Sequence, residues 1–364
     1  MSLPDQPARN PALEAAIRAN RDDPAPYMVY ADFLQSRGNP IGELIAFAER
    51  EPKRAAQIIE KLALPAEDQA TFGWRRGLWQ WLRLENAKDW MDESFDALAL
   101  ARPLFASIPC CALEELRIGV LRWMRNYEDV PAVLAEAGSH PWARDLQRLH
   151  VGDVSEDVDI GMHFIGDVGA VITASFPGLH SLRLHSGEDE DEAEFVVTGL
   201  VLPELRELVI ETNVMSTGRL EALLAAELPK LERLELWFGS DEYGADCGVD
   251  DLEALLSGEV FPKVRHLGLR NAEIAGDIAR AIVDAPIAKR LESLDLSMGT
   301  LDDDAARELA THADRFEQLK RLSVDDNFLT DASLAPLRAR WGERLHSEEQ
   351  KEIEGDWRYV SVSE

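Results

Sequence analysis

Leu205-Arg-Glu-Leu208-Val-Ile210 and, 26 residues later, Leu231-Glu-Arg-Leu234-Glu-Leu236 are two copies of one phrase, apolar-x-x-apolar-x-apolar. The phrase recurs in both directions. Upstream stand Leu179-His-Ser-Leu182-Arg-Leu184, Leu146-Gln-Arg-Leu149-His-Val151 and Leu113-Glu-Glu-Leu116-Arg-Ile118. Downstream stand Val264-Arg-His-Leu267-Gly-Leu269, Leu291-Glu-Ser-Leu294-Asp-Leu296 and Leu319-Lys-Arg-Leu322-Ser-Val324. Consecutive starts are 33, 33, 26, 26, 33, 27 and 28 residues apart. A phrase that keeps its register through this many copies is a structural repeat, and periods of this length mean stacked units.

Between phrases the apolar residues take helical spacing: Leu220, Leu223 and Leu224; Leu252, Leu255 and Leu256; Ile278, Ala281 and Ile282; Ala305, Ala306 and Leu309. Asp302-Asp303-Asp304 precedes the last of these and suits a helix N-terminus. Each unit therefore reads as strand, turn and helix. One such unit cannot bury its apolar face alone, so neighbours must stack. The phrase resembles that of leucine-rich repeats, and the spacings of 26 to 28 resemble the ribonuclease-inhibitor type. The resemblance implies an α/β leucine-rich-repeat solenoid, a horseshoe with parallel strands on the concave side and helices on the convex side. The 33-residue spacings then imply loop insertions. Asn213 and Asn327 stand at the place where that family carries an asparagine after the strand. Trp79-Gln-Trp81-Leu82-Arg-Leu84 reads as a degenerate opening strand, and Trp357-Arg-Tyr359-Val-Ser-Val362 alternates like a closing one.

Residues 1–70 do not carry the phrase. Asn10-Pro11 before Leu13, Ala16 and Ile17 is a capped helix start. Tyr27, Tyr30, Ala31, Phe33 and Leu34 form a second helical stripe, ended by Gly38-Asn39-Pro40, and Ile41, Leu44, Ile45 and Phe47 form a third. Leu13-Glu-Ala-Ala-Ile-Arg-Ala-Asn20, Asp22-Asp23-Pro24, Tyr30-Ala-Asp32-Phe33-Leu34 and Gly38-Asn39-Pro40-Ile41-Gly42-Glu43-Leu44-Ile45 carry a second resemblance. They are similar to the short all-helical repeat-companion domain that precedes repeat arrays in some bacterial proteins, which implies no defined activity. The expected division is a helical domain over 1–70 and a repeat domain over 71–364. Tyr27, Tyr30 and Asp32 read as an inter-helix hydrogen-bond or capping set in preference to a catalytic cluster. Trp74, Trp79, Trp81 and Trp90 are expected to seal the apolar end of the first repeat.

Composition narrows the chemistry. The 364 residues carry a formal net charge of −30, which repels nucleic acid and anionic membranes and favours a soluble chain. There is no run of eighteen apolar residues and the first residues lack a secretory pattern, so the expectation is a cytoplasmic protein. Three cysteines, with Cys110 and Cys111 adjacent and expected to be buried, make a poor disulfide framework. Histidines and cysteines show no metal-ligand spacing, and no nucleophile elbow, phosphate loop or dinucleotide fingerprint is present. No cofactor is expected. The acidic run from Glu188 to Glu194 lacks the pattern of a calcium loop and reads as a solvated insertion. Asp246, Asp250 and Asp251 read as helix-start residues.

Strand side chains alternate, so the residue between the last two apolar positions of each phrase points away from the core. Down the stack this column is Arg83, Arg117, His150, Arg183, Val209, Glu235, Gly268, Asp295 and Ser323. Flanking outward positions add Trp81, Arg148, His185, Arg233, Trp237, Phe238 and Arg270. Strands about 4.8 Å apart cannot stack like charges without compensation. Either Glu85 and Glu115 neutralise the early arginines locally, or an acidic segment of a partner does. Exposed Trp and Arg are frequent interface anchors. The chain is accordingly expected to be a non-catalytic scaffold that binds a protein partner on this face, as a monomer, with no nucleic acid or membrane. The candidate binding residues are Trp81, Arg83, Arg117, Arg148, His150, Arg183, His185, Arg233, Trp237 and Arg270. Alternatives are an inhibitor or immunity-type protein that masks a basic target, and a regulatory subunit or enzyme with its chemistry in the N-terminal helices.

Overall fold

The computed structural model describes residues 9–87, 91–92, 94–122, 126–154, 163–187, 197–353 and 357–363. Trp90 and the run 188–194 lie outside the described residues. Packing divides the chain into two compact units, Met1–Val154 with Val171–Leu179, and Ser155–Ala170 with His180–Glu364.

The first unit opens with four short helices, α1 (Pro11–Ala19), α2 (Pro24–Gln35), α3 (Pro40–Phe47) and α4 (Pro52–Ile59). Each begins on a proline, whose missing N–H is not needed in a first turn. Asn10, Asp23 and Asn39 cap the first three by accepting from Leu13 N at 3.2 Å, Ala25 N at 2.9 Å and Ile41 N at 2.9 Å. The fourth helix is an addition to the three stripes visible in the sequence. Then β1 (Ala70–Arg75) and β2 (Leu78–Leu84) pair antiparallel across Arg76-Gly77, with φ of 49° and 79°. Two left-handed residues make the tight hairpin whose twist matches the strands, which is why glycine stands there. The opening strand expected from Trp79–Leu84 is therefore the inner half of a hairpin, and β1 covers what would have been its open edge.

This unit continues through α5 (Ala97–Phe105), β3 (Glu115–Ile118), α6 (Asn126–Gly138) and β4 (Arg148–Val151). Strands β2, β3 and β4 pair in parallel, with Leu82, Leu116 and Leu149 in one register row and Leu84, Ile118 and Val151 in another. All six are at most 1% exposed. The helical segment does not keep its apolar residues to itself: Ile17, Tyr30, Leu34, Leu44 and Ile45 share one core with Leu78, Ile108, Cys111 and Ala112. Residue 70 is thus a change of local architecture inside a single packed unit. Tyr30 donates to the buried Glu14 carboxylate at 2.7 Å, and Tyr27 donates to the Arg21 carbonyl at 3.2 Å. These are helix-tying bonds, while Asp32 lies on the exposed side of α2. Trp79 is buried, stacked on Phe72 at 4.4 Å and edge-on to Trp74.

The boundary between units falls within α7 (Gly169–Ser175). The second unit then runs β5 (Ser181–His185), β6 (Glu207–Glu211), α8 (Thr217–Leu224), β7 (Arg233–Gly239), α9 (Glu253–Leu256), β8 (His266–Ala272), α10 (Ala275–Asp284), β9 (Ser293–Asp295), α11 (Asp303–Thr311), β10 (Arg321–Ser323), α12 (Asp331–Trp341) and β11 (Leu345–His346). Successive strands from β5 to β11 are parallel. Leu182, Leu208, Leu234, Leu267, Leu294 and Leu322 occupy one register row and are at most 1% exposed. Burying each such side chain contributes roughly 2 kcal/mol, and the repeat multiplies it. Asp302 caps α11, accepting from Ala305 N at 2.8 Å. Asp251 accepts from Gly248 N at 2.8 Å at the start of a 3-10 turn, and Asp246 accepts from Thr217 N at 2.6 Å, at the start of α8 in the preceding repeat.

Two asparagines at the expected turn position behave differently. The amide of Asn327 donates to the carbonyls of Leu296 at 2.9 Å and Val324 at 3.2 Å, and its Oδ1 accepts from Leu301 N at 2.9 Å. That satisfies the turn after β10 in the expected way. Asn213 instead donates to the Ser363 carbonyl at 3.4 Å. The reason is a correction to the sequence reading: residues 357–363 form no closing strand. Among the described residues the last strand is β11, and residues 361–363 cross the strand ends and their turns. Alternation of Trp357, Tyr359 and the valines is a real extended pattern, but Ser361, Val362 and Ser363 bond to Met298, Asp326, Asn271 and Asn213 and form no strand.

Candidate functional site

The outward column is assembled as the phrase requires. In the first unit Arg83, Arg117 and His150 are register partners. In the second, Arg183, Val209, Glu235, Gly268, Asp295 and Ser323 are. Four positions read as outward are nonetheless covered: Val209 at 7%, Ser323 at 2% and Phe238 at 2% exposed, with Gly268 also buried. Phe238 fails for a simple reason. It follows Trp237 directly in β7, so alternation sends the two rings to opposite faces.

Every arginine of the candidate set is held by a carboxylate. Arg83 pairs with Glu85 and, at 2.9 Å, with Asp153. Glu115 receives Arg117 and, at 2.9 Å, Arg148. His150 lies 3.6 Å from Asp153. In the second unit Glu211 receives both Arg183 and His185, the latter at 3.3 Å, and Glu207 lies 3.5 Å from Arg233. Arg270 reaches Glu235 at 2.7 Å and Asp295 at 3.7 Å. The local-neutralisation alternative through Glu85 and Glu115 is what the geometry contains. Asp153, Glu207 and Glu211 complete it and were absent from the candidate set. The signal for Glu207 and Glu211 was available: both alternate with Val209 on the outward side of β6, opposite Ser181 and His185 of β5.

The acids report these environments. Burial would raise the Glu211 carboxyl, but hydrogen bonds from His185 and Arg183, with their charge, hold it at about 2. Glu115 is lowered for the same reason, burial being outweighed by Arg117 and Arg148. Glu85 goes the other way: burial, with Asp153 adding to it, exceeds what Arg83 returns.

Two tryptophans sit in this lattice, one per unit. Trp81 stands opposite Gly73 in the hairpin, and its indole lies where a Cβ on residue 73 would be, so only glycine fits there. Arg117 stacks over the ring, 5.3 Å from its centroid. In the second unit Trp237 and Arg270 are register partners; the guanidinium is again 5.3 Å from the ring centroid, and the indole N–H donates to Glu235 at 3.1 Å. Both rings remain half-buried. Cation–π contact and the hydrogen bond to Glu235 together fix the indole. Glu235, which holds the indole, also lines a recess of about 370 Å³ with Arg233, His266, Gly268, Asp295 and Arg321. Burial, then the neighbouring Arg233 charge, lowers the His266 imidazole, so it is neutral near pH 7. His266 and Arg321 were not singled out in the sequence, although both fall in the flanking row through Arg233 and Ser293.

Cys110, Cys111 and Cys247 are free thiols, all buried. Among the described residues no group of three or more His, Cys, Asp or Glu is placed to hold a metal ion, and no helix is long and apolar enough to cross a membrane.

No family model matches the sequence, and no curated protein does. Among solved structures, a protein from Bacteroides fragilis is similar, with a TM-score of 0.63 and 22% identity over 75% of this chain and 77% of that one. An internalin from Listeria monocytogenes is matched with a TM-score of 0.31 and 12% identity, over 69% of this chain and 71% of that one. The internalin score carries no argument. The Bacteroides fragilis protein shares the fold, and the likeness extends no further than that.

Proposed function

We propose that the chain is a leucine-rich-repeat interaction protein, non-catalytic, whose outward strand face binds one protein partner. The N-terminal helices serve in this reading as a repeat-companion segment that closes the first repeat. The supporting observation is Trp237: a half-buried indole held by Glu235 and Arg270, with Glu235 also lining a recess. Large aromatic and arginine side chains that are ordered beforehand lose little freedom on binding, which is the character of an interface anchor. Trp81 with Arg117 repeats the device in the first unit. The remaining candidates, Arg83, Arg148, His150, Arg183, His185 and Arg233, form the ion-paired surround.

A second reading has one observation in its favour. The arginines of this face are paired with carboxylates, so they present little free positive charge to a cation approaching a chain of net charge −30. A basic target masked by an inhibitor-like chain fits that field. Either way the protein acts as a cytoplasmic monomer.

The test is affinity purification of the tagged full chain from its native cell, wild type against Trp237→Ala with Arg270→Ala. Recovery of a specific protein partner is expected to fall about tenfold or more. Equal recovery from a folded double variant removes the reading. Recovery that collapses at high salt selects the basic target; indifference to salt selects the apolar anchor.

A further inference from the structure

One edge of the second unit, where its strands run into their turns, already holds a stretch of extended chain. The Ser361 N–H donates to the Met298 carbonyl at 3.0 Å, and its hydroxyl reaches the same oxygen at 3.2 Å and the Asp326 carboxylate. Val362 is gripped on both sides by one side chain. Its N–H donates to Asn271 Oδ1 at 2.9 Å, and Asn271 Nδ2 donates to its carbonyl at 2.6 Å. The Ser363 carbonyl accepts from Asn213 at 3.4 Å. Three consecutive residues are thus read by the turns after β10 and β9, then by the last residues of β8, then by the turn after β6.

Two features make this more than a resting place for a chain end. Three of the receiving residues, at the end of β8 and in the turns after β9 and β10, share a backbone form that side chains rarely adopt: Asn271, Met298 and Asp326 have φ of 51°, 68° and 53°. In three successive repeats the left-handed residue is the one that touches the segment. Such outliers persist where the fold over-determines them and often mark a binding place. The row also extends beyond the segment's own needs. Asn213 is 3% exposed, yet among the described residues its Oδ1 accepts no hydrogen bond. A buried amide oxygen left open keeps an unmet desolvation cost, and an incoming N–H would satisfy it.

Recognition is mostly through the main chain. Side-chain contacts come from the Ser361 hydroxyl, from the buried Val360, 3% exposed, and from the Tyr359 ring, edge-on to Phe328 at 5.4 Å and 5.2 Å from Lys351 Nζ, while Trp357 stays 63% exposed. We propose that this turn edge is a binding groove for an extended peptide segment of a partner protein, read through its backbone by Asn271 and Asn213, and that residues 357–363 occupy it in cis. The preferred peptide carries an aliphatic residue at the place of Val360 and a small hydroxyl residue at that of Ser361. The groove's contacts, from Asn271, Asn213, Met298 and Asp326, include none of the candidate binding residues, so the proposal stands or falls without the function proposed above. A tethered segment acts at an effective concentration in the millimolar range, so a free peptide competes only when the tether is loosened.

The experiment uses the full chain carrying Val362→Pro, which removes the N–H that Asn271 accepts and leaves the groove intact. A fluorescein-labelled peptide with the sequence of residues 357–363 is titrated by anisotropy into this variant and into wild type. Binding to Val362→Pro is expected to be about tenfold or more tighter than to wild type. A second peptide, N-methylated at the position of Val362, is expected to lose about tenfold in affinity, because it lacks the same donor. A third, with Ala at the position of Trp357, is expected to bind within about twofold. The proposal is overturned if the first peptide fails to bind Val362→Pro, if it binds both proteins equally, or if N-methylation leaves the affinity unchanged. The N-methyl comparison alters only the peptide and is unaffected by any change in the variant's fold.

Discussion

The two sides of each strand obey different rules. On the inward side Leu182, Leu208, Leu234, Leu267, Leu294 and Leu322 follow one another with the same residue type and almost no exposure. On the outward side the matching column changes from arginine to valine, glutamate, glycine, aspartate and serine. Apolar packing is non-directional, so one residue type serves in every repeat. Charges about 4.8 Å apart are not interchangeable, and each must find its opposite in a neighbouring strand or turn. The inward side therefore carries the period and the outward side carries the individuality of the protein.

The sharpest way to break that contrast is on the inward side. Leu234→Ala is expected to destabilise the protein by about 2–5 kcal/mol, read as a fall in the midpoint of chemical denaturation. A change below about 0.5 kcal/mol would mean that this row is not a close-packed core.

Next in size is the buried acid. Glu211 sits at about 2 in the fold against an ordinary 4.5, so the unfolded chain takes up the proton first as pH falls. Its contribution, on the order of 3 kcal/mol, is complete above about pH 4.5 and is lost as pH falls toward about 2. Glu211→Gln should show a shallower loss of stability across that window. An unchanged acid slope would detach Glu211 from Arg183 and His185.

Trp237→Ala should sharpen the comparison from the outward side. It removes an indole that is only half-buried, so stability is expected to fall by about 1 kcal/mol, well short of the Leu234→Ala effect. A loss as large as that of Leu234→Ala in the same denaturation experiment would make Trp237 part of the core. At the lower end stands the exposed pair Arg206–Glu232, 2.9 Å apart with both side chains about half exposed. A double-mutant cycle is expected to return less than about 1 kcal/mol, declining with added salt.

These predictions separate what was legible early from what was not. The strand register, the inward rows and the membership of the outward column followed from spacing alone. So did the caps at Asn10 and Asp302, which need only the residues within one helical turn. The carboxylate partners were partly legible. Glu85 and Glu115 lie two residues from their arginines, whereas Asp153 meets Arg83 across 70 residues of sequence. The hairpin partner β1 left little trace, because Ala70-Thr-Phe-Gly-Trp-Arg75 carries none of the repeat phrase.

What the sequence by itself determined is the repeat: a period-2 strand inside a longer period is local information, and stacking copies it from unit to unit. What only the tertiary structure decided is where side chains from distant repeats and from the last residues meet. Asn271 and Val362 are 91 residues apart, and nothing in either neighbourhood announces the other. Hydrogen bonds and ion pairs are directional and short, so they depend on placed atoms, while the apolar period survives any detail of placement.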